Sequence, residues 1–113
     1  MTESSWHPFD AGSTISQAGS EQGVTVHDEE LPLGARITLE RAARVAPFAS
    51  TCGIYGWMMH TRFFSVEDEA EAQYGLMKNA LSALLEAAEQ TAAIDGGRQV
   101  LMDGISKFVE TYP

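Results

Sequence analysis

The sequence predicts an α+β fold: an antiparallel sheet of three to four strands in the N-terminal two-thirds, packed by a long helix and a second C-terminal helix. Apolar and polar residues alternate on both sides of a Pro–Gly turn at residues 32–34, which is the period of half-buried strands. After Ser65 the apolar spacing changes to steps of four and three, the period of a helix packed along one side. All the strand-like runs precede the helical ones.

Residues 1–12 carry Ser, His, Pro, Asp and Gly without periodicity. They read as a loosely ordered lead-in, from which Trp6 and Phe9 can staple onto the body. Residues 13–113 form a single α+β domain, because 113 residues fill one core and not two. Ser13 to Ala18 fits a short edge strand, and Gly19 to Gly23 a loop.

The next two strands form a hairpin. Val24, Val26 and Asp28 alternate with Thr25, His27 and Glu29, and Ala35, Ile37 and Leu39 alternate with Arg36, Thr38 and Glu40. Pro32 presets φ for a type I turn, with Gly34 at its last position. A four-residue loop 31–34 pairs Glu30 with Ala35, Glu29 with Arg36, His27 with Thr38 and Val26 with Leu39. Pro47 then interrupts the chain, since it cannot donate to a ladder.

Residues 48–64, FASTCGIYGWMMHTRFF, hold five of the ten aromatic residues and the only cysteine. They do not alternate, so both faces should be covered, either as a central strand or as two strands bent at Gly53 and Gly56.

Ser65 opens a helix that runs to about Gln90 or Ile94, with Glu67, Asp68 and Glu69 at the positive end of its dipole. One stripe, Ala70, Tyr74, Met77, Leu81, Leu84 and Ala88, should lie on the sheet. A second stripe, Leu76, Ala80, Ala83 and Ala87, allows close approach of another helix, the chain's own or a second subunit's. Asp95, Gly96 and Gly97 break the pattern. Residues 98–111 form the last helix, with Leu101, Ile105, Phe108 and Tyr112 on one face. Gly104 in its middle implies a close neighbour.

The formal charge of −9 argues against a nucleic-acid grip or an anionic membrane, both of which need clustered Lys and Arg. Arg36, Arg41, Arg44 and Arg62 sit in the sheet half, and six of the sixteen acidic residues lie between Glu67 and Glu89. Sheet-to-helix association is one use of that asymmetry. A single cysteine makes no internal disulfide, and the N-terminus lacks the basic and apolar regions of a signal peptide. A cytoplasmic protein is the expectation.

No catalytic signature is present. Cys52 and His60 invite a thiol–imidazole reading, but eight residues of strand separate them by about 26 Å unless the chain folds back at Gly53 to Gly56. His7, His27, His60, Cys52, Asp28, Glu29 and Glu30 show no metal-ligand spacing, so no metal and no cofactor are expected. Gly19 and Gly23 belong to no phosphate-loop motif. Met58, His60 and Arg62 share one face of a straight strand. With Trp57 they are the candidate wall of a pocket for a small anion.

The functional expectation is a non-catalytic protein that dimerises or binds a protein partner through the alanine-rich helix face or an open sheet edge. The alternative is a ligand-binding or enzymatic domain with its pocket at Trp57, Met58, His60 and Arg62.

Overall fold

A computed structural model describes residues 6–92 and 96–113. The architecture of the described residues is α+β, with five antiparallel strands in the order β1-β2-β3-β4-β5 and two α-helices. The strands are β1 (His7–Pro8), β2 (Val24–Leu31), β3 (Ala35–Arg41), β4 (Phe48–Ile54) and β5 (Met58–Phe64); the helices are α1 (Glu67–Ala92) and α2 (Gly97–Thr111). The sheet therefore has five strands, not three to four.

The extra strands come from two places. Residues 48–64 are two strands, joined by a turn at Gly56, which has φ +81°. At the other edge, the strand expected over Ser13–Ala18 is a looped strap instead, and β1 supplies the edge. Ser16 has φ +72°, which no extended run tolerates. The strap still touches the sheet, through a bridge between Ala18 and Val24. The lead-in is fastened as well. Trp6 Nε1 donates to Ser82 Oγ at 2.8 Å, and Phe9 stacks on Arg36.

The β2–β3 register differs by one residue from the expected pairing. Gly34 N–H donates to Leu31 O at 2.9 Å, closing a loop of three residues rather than four. Leu31 is thus the last strand residue, opposite Ala35, and it is fully buried. Glu30 faces Arg36, Asp28 faces Thr38 and His27 faces Leu39. The irregularity between Thr25 and His27 takes Val26 out of the ladder. A one-residue slip exchanges the two faces. Glu29 and His27 therefore turn toward the helices, and Asp28 and Glu30 turn away.

One sheet face builds the core. Leu31, Ala35, Ile37, Leu39, Cys52, Ile54 and Phe64 pack against Ala70, Tyr74, Met77, Leu81 and Leu85 of α1, and Leu101 and Phe108 of α2 join them. Leu85 takes the core position expected for Leu84. Leu84 lies under α2 instead, where a Cβ on Gly104 would overlap its Cδ1. That overlap is why glycine is kept at a helix-interior position where it costs about 1 kcal/mol. α2 thus packs beside α1 along Leu84, while Leu76, Ala83 and Ala87 of the second stripe remain exposed. Ile94 and Asp95 lie outside the described residues.

Candidate functional site

The outer face of the sheet, away from the helices, carries the site. Strand pairing sets its side chains in rows: Glu30, Arg36, Gly53 and Met59; Asp28, Thr38, Thr51 and Thr61; and Thr25, Glu40, Ala49 and Phe63. The strap covers the β2–β3 half. Between strap and sheet lies a cavity of about 380 Å³, floored by Arg36, Thr38, Thr51 and Gly53 and walled by Thr14, Gln17, Tyr55 and Met59. That volume falls in the range of about 300–1,000 Å³ usual for small-molecule sites.

Glu40 holds the strap down. Its side chain is fully buried, yet it accepts from the N–H groups of Glu21 (3.1 Å) and Gly23 (2.9 Å) and from Ser20 Oγ (3.5 Å). A buried carboxylate is tolerated only when its lone pairs are filled in this way. Gly19 lies so close to it that a Cβ would overlap the carboxylate carbon.

Asp28 and Arg36 form the polar floor. Arg36 Nε donates to Oδ1 at 2.9 Å and Nη2 to Oδ2 at 2.7 Å, a bidentate fork, while Thr14 Oγ1 donates to Oδ2 at 2.8 Å. Asp28 is only 3% exposed. Phe9 lies 3.5 Å from the guanidinium carbon, which fixes its plane. The hydrogen bonds to Asp28 push the Arg36 pKa up against the opposing effect of burial. Tyr55 reaches from the β4–β5 turn back to β2, its hydroxyl donating to Glu30 Oε2 at 2.7 Å. Burial, then the Glu30 bond, raises its pKa to about 12, so it is a neutral donor.

The four residues expected to line a pocket are divided. Met58 packs against the core on the helix-facing side and also borders the cavity under the strap, and Trp57 lines a shallower cleft with Arg98, Leu85 and Leu101. His60 and Arg62 line neither. They face the helices and hold the C-terminus: His60 Nε2 is 2.6 Å from Tyr112 O, and Arg62 donates to Pro113 O (3.2 Å) and Gln73 Oε1 (2.7 Å).

The chain does fold back at Gly56, so Cys52 stands directly opposite His60. The expected separation along one straight strand does not hold. The thiol is nevertheless 1% exposed, and burial raises its pKa to about 12. A protonated, enclosed sulfur is no nucleophile. Among the described residues, no three His, Cys, Asp or Glu side chains are grouped to hold a metal ion, and no helix is long and apolar enough to cross a membrane.

The second feature is the free edge of β5. At the opposite edge, β1 is two residues long and ends in Pro8, which protects it. β5 is seven residues long and, among the described residues, pairs with β4 on one side only. Its outer-face side chains Met59 and Phe63 are 81% and 44% exposed. The Trp57 N–H to Ile54 O turn bond sets Ile54–Met58 as a hydrogen-bonded rung, and rungs alternate. The N–H and C=O groups of Met59, Thr61 and Phe63 therefore point to the open edge.

The cavity's main polar pair was hidden in the sequence by the register. Arg36 placed opposite Glu29 leaves Asp28 on the other face; the three-residue loop brings Asp28 diagonal to Arg36. A signal was present in Gly53, a position without a side chain inside a strand.

The chain matches no protein-family model, no curated protein and no solved structure.

Proposed function

We propose that this chain is a small cytoplasmic, non-catalytic protein that acts by self-association, two copies joining through the β5 edge. The observation that supports it is the self-complementarity of that edge. Antiparallel pairing centred on Thr61 sets Thr61 opposite Thr61 of the second copy and Met59 opposite its Phe63. All three positions aim their backbone groups outward, so each of these three pairs is a hydrogen-bonded rung, with the His60–Arg62 pairs between them non-hydrogen-bonded. The same register meets exposed apolar side chains with exposed apolar side chains. Between Met58 and Phe64 there is no carboxylate, although the chain carries −9 overall, so two copies meet at this edge without a clash of acids. A two-fold interface of this kind closes on itself and stops at the dimer.

Amide hydrogen exchange tests the interface directly. Raising protein concentration should slow exchange at Met59, Thr61 and Phe63 while leaving β2 unchanged. Rates at these three amides that do not depend on concentration would exclude the edge.

An anion-binding or enzymatic site at Trp57, Met58, His60 and Arg62 has less support, because His60 and Arg62 are engaged by Tyr112, Pro113 and Gln73.

A further inference from the structure

We infer that the cavity under the strap binds a neutral, planar ring compound bearing a carbonyl or amide oxygen. The space argues for a flat ligand. Gly53 stands between Arg36 and Met59 in one row across the sheet and puts no side chain on the outer face. The floor there is bare backbone, where a Cβ would lie 3.2 Å from Met58 O, and the missing side chain leaves a flat surface open to the cavity. Tyr55 closes one end by its reach to Glu30, and Met59, a flexible thioether suited to aromatic contact, overhangs the rim.

Charge argues for a neutral ligand. Asp28 and Arg36 are the ionised residues that line the cavity, and each is already paired with the other. An anion would have to compete with a buried carboxylate for Arg36, inside a chain of formal charge −9. A cation would have to take Asp28 from three donors.

The remaining donors argue for an oxygen acceptor. Arg36 uses Nε and Nη2 on Asp28, and Nη1 makes no hydrogen bond among the described residues. Its orientation is fixed by the fork and by Phe9, so little freedom is lost when a ligand oxygen accepts from it. This site shares Met59 with the proposed β5 interface, but its test reads Gly53 and Arg36, which lie outside that interface, so either reading can fail without the other.

The test is an NMR titration of the isotope-labelled full chain with naphthalene-2-carboxamide. Naphthalene-2-carboxylate has the same shape with a charge; decahydronaphthalene-2-carboxamide has the same head without the planar ring. The carboxamide should shift resonances of Thr38, Thr51, Gly53 and Tyr55, and both comparators should bind about tenfold more weakly. Gly53→Val, which fills the floor, should abolish the shifts. Arg36→Lys keeps a cation beside Asp28 but removes the fixed guanidinium donor, and should weaken the carboxamide by a similar factor. If Gly53→Val fails to fold, Arg36→Lys decides. The proposal is overturned by absence of shifts up to the solubility limit, by shifts centred on Trp57 and Arg98, by equal or tighter binding of either comparator, or by full affinity in Arg36→Lys.

Discussion

Cys52 and His60 stand opposite each other on neighbouring strands, yet they do not form a reactive pair. The imidazole is turned to the carbonyl of Tyr112, and the thiol is enclosed, with its pKa at about 12. A thiol reagent at about pH 8 should leave the native protein unlabelled and modify Cys52 promptly in denaturant. Rapid labelling of the native chain would mean that the sulfur is open.

Glu40 should govern the strap. Glu40→Gln keeps the volume but replaces one acceptor oxygen by a donor facing backbone N–H groups. It should cost about 2 kcal/mol in urea unfolding, the range for a charged group's buried hydrogen bonds. Amides of Glu21 and Gly23 should exchange faster first. Unchanged exchange there would show that the carboxylate does not hold the loop.

Gly104 and Leu84 should be coupled. In the wild-type background, Gly104→Ala gains about 1 kcal/mol of helix propensity but overpacks against Leu84, at about 1–3 kcal/mol, for a net loss. In a Leu84→Ala background the overlap is gone, so the same substitution should stabilise by about 1 kcal/mol. Chemical denaturation of the four proteins measures the cycle. Equal effects in both backgrounds would deny the close approach.

Acid should weaken the β2–α1 contact. Burial alone would raise the Glu29 pKa, but hydrogen bonds from Lys78 (2.7 Å) and Tyr74 (2.8 Å) outweigh it and hold it below its ordinary 4.5. The unfolded chain then binds more protons in that window, so this contribution is complete above 4.5 and lost as pH falls through the lower native value. Lys78→Met should lower stability at neutral pH and flatten the acid limb of a stability–pH curve. An unchanged acid limb would count against the pairing.

Much of the fold was legible in the sequence, and for identifiable reasons. Alternation at residues 35–39 and the stripe from Ala70 to Leu81 are set by burial on one side, which a pattern records directly. Gly104 announced its close neighbour. The site was less legible. Loop length at Pro32–Gly34 decides which of Asp28 and Glu29 shares a face with Arg36, and alternation alone does not fix that length. The strap leaves no periodic trace, because its contacts run through backbone N–H groups and the Ser20 hydroxyl to Glu40, and through the Thr14 hydroxyl to Asp28. His60 and Arg62 looked available because nothing in the local sequence indicates that the C-terminus returns to them.

The most direct test of self-association is light scattering on the full chain and on Thr61→Pro at micromolar concentration. Thr61 points its N–H away from β4, so proline there removes a donor from the open edge and spares the existing ladder. The account predicts twice the 12.3 kDa chain mass for the wild type and the chain mass for the variant, with unchanged circular dichroism. A monomeric wild type, or a dimer that survives Thr61→Pro, would contradict it.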